Sequence, residues 1–137
     1  MEDNGVVLVQ SHGDFAPRNA FIDDVNTTLL GLDHSCVADP ALDLARFINS
    51  IWRQVAYTGQ DPARAESLVT AFLDEYGSER PENVANVPFY WGLFAVKSLA
   101  QYLRITNRLK SRGLFDTVVD LHVEEFEYAA RIVEIAR

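Results

Sequence analysis

A short polar segment near the N-terminus carries residue types that phosphoryl transfer uses. Asp14 and Asn19 lie five residues apart in a stretch that also contains Gly13 and Pro17, which is typical of a loop. Asp33 follows fourteen residues after Asn19. One carboxylate can accept or orient the proton of an attacking hydroxyl, while an amide oxygen and a second carboxylate can hold metal ions that neutralise phosphate charge. The spacing therefore favours phosphoryl transfer to a hydroxyl.

A predicted β-hairpin would bring two of these groups together. The apolar stretches Ala20–Ile22 and Thr28–Leu32 flank a polar turn, which is the pattern of a hairpin. Asn19 and Asp33 would then lie at neighbouring strand ends, on the same side of the hairpin. The β-branched run Val6–Val9 predicts a strand or extended segment ahead of the loop.

The rest of the sequence has helical periodicity. Asp-Pro pairs at 39–40 and 61–62 each combine an N-cap aspartate with proline at the first helical position. The first helix is expected to end before Gly59 and the second at Gly77. The remaining segments are expected as loops at 33–39 and 78–88 and as helices at 89–112 and 116–137. The sequence thus predicts one α+β, mainly α domain, with the loop and hairpin in residues 1–39 and a helical part in 40–137.

Composition and charge favour a globular protein over a protein that binds nucleic acid or spans a membrane. The 137 residues carry a net charge of −8 and are 48% hydrophobic, as in a globular protein. An acidic chain disfavours nucleic acid and anionic membranes as partners. No apolar run approaches the roughly 18 residues that span a bilayer. With one cysteine, Cys36, and no pattern of a secretory signal, we expect a cytoplasmic protein.

Aspartates are concentrated at the start of the chain. Six of them lie within residues 14–43, at positions 14, 23, 24, 33, 39 and 43. A bound divalent cation is one way to offset such a cluster. Helix caps and turns, where aspartate is common, are the other explanation. Both explanations stay open at this point.

Three motifs follow one another at the spacing of a known family. They are an H-G-D-x-x-x-x-N loop, an aspartate after a hairpin, and a D-P-x-x-D-L-A helix start. Here they are formed by His12-Gly13-Asp14 with Asn19, by Asp33, and by Asp39-Pro40 with Asp43-Leu44-Ala45. They resemble the catalytic loop and metal-binding strand of the aminoglycoside phosphotransferase and choline kinase family, whose fold is similar to that of protein kinases. The resemblance covers Val6 to Phe47 by motif.

The resemblance implies a role for each matched residue. Asp14 would be the catalytic base, and Asn19 and Asp33 would be ligands of Mg²⁺ or Mn²⁺. His12 would support the loop through hydrogen bonds. Asp43 would be a buried acceptor that holds the loop in place.

The resemblance also implies a fold and a reaction. The chain would be the C-terminal lobe of a phosphotransferase that uses ATP or GTP and a hydroxyl acceptor such as an aminoglycoside, choline or a sugar. A net-acidic lobe suits a cationic acceptor, such as an amino sugar or a choline-like amine. Arg18, within the loop, could meet a phosphate or could be a solvated surface arginine.

The N-terminal nucleotide lobe of such a kinase has no counterpart in the sequence. The seven glycines form no G-x-G pair, and the two lysines, Lys97 and Lys110, lie far from the start of the chain. We therefore expect this chain alone to be inactive. The alternative is a catalytically silent kinase-like remnant that acts as a binding or interaction module. Apolar surface left by the absent lobe could then support self-association.

Overall fold

Helices form most of the structure. The computed structural model describes residues 7–109, with side chains described over 7–101. The elements, in order, are β1 (Val9–Ser11), β2 (Ala20–Ile22), β3 (Thr27–Leu29), β4 (Cys36–Ala38), α1 (Pro40–Thr58), α2 (Pro62–Glu79), α3 (Pro81–Val84) and α4 (Val87–Leu109). The predicted mainly α, α+β class is confirmed. The helix expected at 116–137, and the expected helix end at Arg112, lie outside the described residues.

Strands β2 and β3 form the predicted hairpin. They pair antiparallel, with Ala20 opposite Leu29. Asp23 closes the turn, because its Oδ1 accepts hydrogen bonds from the backbone N–H groups of Val25 (2.9 Å) and Asn26 (2.6 Å). These bonds also lower the pKa of Asp23, since they stabilise its carboxylate.

A second strand pair is formed by the segments that precede and follow the loop and the hairpin in the sequence. β1 pairs antiparallel with β4, with Val9 opposite Ala38 and Ser11 opposite Cys36. The loop prediction for 33–39 is therefore wrong for β4. A three-residue strand is too short for a clear alternation of apolar and polar residues, and the partner that stabilises it lies far away in sequence. The pairing brings the residue before His12 close to the segment after Asp33.

Helix α1 forms the centre of the hydrophobic core. Its buried Ile48 and Trp52 belong to one cluster with Val69 of α2 and Trp91 of α4. The ring centroids of the two tryptophans lie 6.4 Å apart. Because α1 packs against both other long helices, its first turn is a rigid support for whatever contacts it.

Glycine ends helix α1 but does not end helix α2. α1 ends at Gly59, whose φ of 64° is left-handed, as predicted. Gly77 does not end α2, which continues to Glu79. Glycine weakens a helix by only about 1 kcal/mol, whereas Pro81 disfavours helical geometry at the residue before it. Helix α3 then occupies part of the segment expected as a loop at 78–88.

Asp39 is more than a helix cap. It is buried, at 6% exposure, and accepts hydrogen bonds from the backbone N–H of Ala41 (2.9 Å) and from Nδ2 of Asn86 (2.8 Å). Burial, the negative charge of Asp39 and a hydrogen bond to it raise the pKa of Tyr90. Asp39 thus ties the start of α1 to the start of α4.

We predict that Asp39→Ala destabilises the protein more than Asp61→Ala, its matched control. Both substitutions remove an N-cap before proline, at a cost of about 1 kcal/mol each. Asp61 is exposed and caps only α2, through Ala63. Asp39→Ala also leaves the Asn86 amide unpaired, which adds about 1 to 3 kcal/mol. Urea unfolding of both variants measures the difference, and equal losses would contradict the proposed link between α1 and α4.

Candidate functional site

The loop at 12–19 begins with a backbone conformation that only glycine adopts easily. Gly13 has a φ of 78°, in the left-handed region. A Cβ on this residue would overlap the backbone carbonyl of His34. The loop therefore packs directly against the 3₁₀ turn Leu32–His34, which contains Asp33.

The side chain of Asp43 binds the loop backbone at two points. Its Oδ2 accepts a hydrogen bond from the N–H of His12 (2.5 Å), and its Oδ1 accepts one from the N–H of Gly13 (2.9 Å). Asp43 lies in the first turn of α1, so the loop is fastened to the core helix. The side chain is half-buried, however, and not fully buried as expected. The fully buried aspartate of this helix start is Asp39.

His12 connects the loop to the hairpin. It is buried, and its Nε2 lies 2.9 Å from the backbone oxygen of Leu30. Its Nδ1 accepts a hydrogen bond from the N–H of Asp14, at 3.3 Å. Both contacts are satisfied at once when the ring is neutral with the proton on Nε2. His12 thus sets the position of Asp14 relative to the hairpin.

The carboxylate of Asp14 is surrounded by donors. Arg18 Nη2 lies 2.7 Å from Oδ2, Asn19 Nδ2 donates to the same oxygen at 3.2 Å, and Arg46 Nη1 lies 3.4 Å from Oδ1. Burial by itself would raise the pKa of Asp14. The hydrogen bonds from Arg18, Asn19 and Arg46 and the charge of Arg18 together outweigh it, so the pKa lies below its usual 3.8. Asp14 is therefore ionised at neutral pH, and its side chain is 25% exposed.

Asn19 lies beside the segment that leads to Asp33. Its Nδ2 also donates to the backbone oxygen of Asp14 at 2.8 Å. Within the described part of the chain, Oδ1 accepts no hydrogen bond and is the ligand atom that the amide offers. Its side chain packs near Gly31, two residues before Asp33. Asp33 itself is exposed and makes no hydrogen bond or ion pair to the part of the chain that is described.

The donor set is compatible with magnesium. One amide oxygen and one carboxylate, completed by water and phosphate oxygens, is a common way to hold Mg²⁺. Within the described residues, no group of three or more His, Cys, Asp or Glu side chains could hold a metal ion. Metal binding by Asn19 and Asp33 would thus depend on ligands that the described residues do not supply.

Arg46 is a residue of the site that the sequence analysis missed. It lies on α1, one turn after Asp43, and its guanidinium lies 5.1 Å from the ring centroid of Phe94. Its buried Nε has no hydrogen-bond partner among the residues that the structure describes. The spacing of three residues from Asp43, which puts both side chains on one helix face, was the available signal.

Two adjoining hollows open beside Asp14. The first, of about 120 Å³, contains Asp14 and Arg46 in its wall. The second, of about 420 Å³, contains Pro17, Gln54 and Tyr57. Arg18, Ser50 and Arg53 line both. The carboxylate of Asp14 thus faces a space that can admit a small molecule.

Comparison with known proteins identifies the family. A model of the phosphotransferase enzyme family matches residues 6–82, or 77 of the 137 residues, and includes all three motifs. The chain belongs to the phosphotransferase enzyme family. No curated protein and no solved structure gives a significant match.

Membership of this phosphotransferase family confirms the resemblance seen in the motifs and indicates a phosphotransferase type of function. Members generally use ATP and Mg²⁺ and bind a nucleotide and a small-molecule acceptor. Over the described residues, no helix is both long and apolar enough to cross a membrane.

We predict that Gly13→Ala is far more destabilising than Gly59→Ala. Both residues have positive φ, so each substitution costs about 1 to 2 kcal/mol in backbone strain. An added Cβ meets nothing within 4 Å at Gly59 but overlaps the His34 carbonyl at Gly13. The Gly13 variant must therefore also separate the loop from the 3₁₀ turn. Urea unfolding compares the two, and similar losses would contradict this close packing.

Proposed function

We propose that this chain is the C-terminal catalytic lobe of an ATP-dependent small-molecule phosphotransferase with a hydroxyl acceptor. The observation that supports it best is the position of Asp14. This ionised carboxylate is held by side-chain contacts between Asn19 on one side and, on the other, a hollow of about 120 Å³ that shares lining residues with a larger one of about 420 Å³. A group that orients a hydroxyl toward a nucleotide phosphate needs such a position.

In the proposed reaction, Asp14 orients the acceptor hydroxyl and takes its proton. The acceptor oxygen forms a bond to the γ-phosphorus, and the bond from that phosphorus to the ADP oxygen breaks. Because the transition state of phosphoryl transfer is loose, the hydroxyl proton leaves late, and a carboxylate of low pKa is an adequate base. The low pKa of Asp14 is thus compatible with this role.

Arg18 and the metal ligands complete the proposed site. Asn19, through Oδ1, and Asp33 would hold Mg²⁺ or Mn²⁺, which neutralises charge on the phosphates. Arg18 is 62% exposed and contacts Asp14 through Nη2, so its remaining N–H groups can bind a phosphate oxygen when nucleotide binds.

An interaction module is the second candidate function. Large apolar side chains are exposed on the strand region, including Phe21, Ile22, Val25 and Val37. In a complete phosphotransferase, a nucleotide lobe would cover part of this surface. In a silent remnant, the same surface would serve a partner or a second copy of the chain.

We predict that the 137-residue chain alone shows no measurable kinase activity. Its sequence has no glycine-rich cover or early lysine to position the donor, and positioning supplies most of the rate in this chemistry. ADP release from ATP or GTP, measured over a panel of aminoglycosides, choline and sugars, should remain at background. Turnover that depends on an acceptor and disappears in Asp14→Ala would contradict this prediction.

We also predict weak Mn²⁺ binding that depends on Asp33. Because the protein supplies only part of the metal shell, the dissociation constant should be on the order of millimolar, or about 4 kcal/mol of binding free energy. Calorimetric titration should show weaker binding to Asp33→Asn than to the wild type. Asp24→Asn, which changes another exposed aspartate of the hairpin, is the matched control. If all three proteins bind Mn²⁺ alike, the metal-site proposal is wrong.

A further inference from the structure

The hollows beside Asp14 have a charge opposite to that of the whole chain. Four cationic side chains are among the described residues that line the smaller hollow: Arg18, Arg46, Arg53 and Lys97. Asp14 is the one carboxylate in that set. The described lining therefore has a formal charge of three positive, although the chain carries −8. Such an excess is not a consequence of overall composition.

Most of this positive charge is not neutralised by the described residues. Arg18 and Arg46 share a single anionic partner, the carboxylate of Asp14. Arg53 contacts Tyr57, with its guanidinium 5.8 Å from the ring centroid and Nη2 3.5 Å from the hydroxyl, and has no ion pair within the described residues. Lys97 likewise has no ion pair in that part of the chain. Bringing like charges together costs free energy, and a bound anion would offset that cost.

The lining offers further groups suited to an anion. Neutral donors from Ser50, Gln54 and Gln101 stand among the cations. Arginine and lysine beside neutral donors are the groups that bind carboxylates and phosphates in proteins.

The position of the cations separates them from the proposed metal ligands. Neither Asn19 nor Asp33 is among the described residues that line either hollow. Arg53 belongs to α1 and Lys97 to α4, so both extend the site from Asp14 toward the helices. Arg53 and Lys97 therefore lie on the side that the acceptor would occupy and not on the side of the donor phosphates.

We propose that the phosphate acceptor is an anionic alcohol, with its hydroxyl at Asp14 and a carboxylate or phosphate group bound by Arg53 and Lys97. This inference rests on the proposed phosphotransferase function. It replaces the sequence-based expectation of a cationic acceptor, because the charge that selects a ligand is that of its pocket and not that of the whole chain.

The test compares short alcohols that differ in charge. Glycerate carries a carboxylate, glycerol 3-phosphate a phosphate, choline a quaternary ammonium, and glycerol no charge. Binding to the 137-residue chain is measured by calorimetry without metal or nucleotide. We expect at least tenfold tighter binding of one or both anions than of choline and glycerol, and the stronger of the two identifies the preferred anionic group. Choline binding as tight as that of the anions would overturn the proposal.

Charge-removing variants locate the binding. Arg53→Gln combined with Lys97→Gln should weaken anion binding at least tenfold. Arg64→Gln, at an exposed position of α2 outside both hollows, should leave it unchanged. Thermal melts check that all variants are folded. An equal loss in the Arg64 variant would overturn the proposal, because the anions would then bind through overall charge.

A Mn²⁺ titration of the same samples separates the two proposals. Mn²⁺ binding that needs Asp33, without a preference for anionic alcohols, would overturn the acceptor inference and leave the phosphotransferase proposal intact. A preference for anions that needs Arg53 and Lys97, without Mn²⁺ binding, would support the anion pocket and contradict the proposed metal site.

Discussion

The bond between Asp43 and the loop backbone is the contact on which the candidate site depends. This carboxylate accepts two hydrogen bonds, from the backbone N–H groups of His12 and Gly13. The two bonds together fix the position and the direction of the chain where it enters the loop. Hydrogen bonds to a charged acceptor are stronger than those between neutral groups. Because Asp43 belongs to the core helix α1, the loop is supported by the hydrophobic packing around Trp52. Strands of three residues could not supply that support by themselves.

From this bond, a series of polar contacts extends to the groups that would do the chemistry. His12 bonds to the hairpin through Leu30 and to the N–H of Asp14, and Asn19 bonds back to Asp14. His12, for example, bonds to Asp43 through its backbone N–H, which leaves both ring nitrogens for the contacts with Leu30 and Asp14. The close packing of Gly13 on the carbonyl of His34 joins this series to the turn that carries Asp33. The loop, the hairpin and the first turn of α1 are therefore coupled, and displacement of one changes the others.

The parts of the fold that the sequence predicted depend on local physics. The hairpin, the Asp-Pro start of α1 and its end at Gly59 follow from turn, cap and backbone preferences within a few residues. Strand β4 and the double role of Asp39 depend on partners that are distant in sequence, so no local pattern indicates them. The motifs named the residues around Asp14, but they could not indicate its environment. Arg46 comes from the second turn of a helix, and basic residues on helices usually face solvent.

The charge distribution around Asp14 has a consequence for the proposed reaction. A carboxylate beside a nucleotide would repel the phosphoryl group that it must face. Arg18 and Arg46 reduce that repulsion, because their positive charges lie against the carboxylate from the start and need not be recruited during the reaction. The same two cations stabilise the ionised form of Asp14 and so keep its pKa low. The two arginines thus make Asp14 a weaker base, and they also reduce its repulsion of the phosphate. A weak base is sufficient for a loose transition state, because the hydroxyl proton is not transferred until the new bond to phosphorus has largely formed.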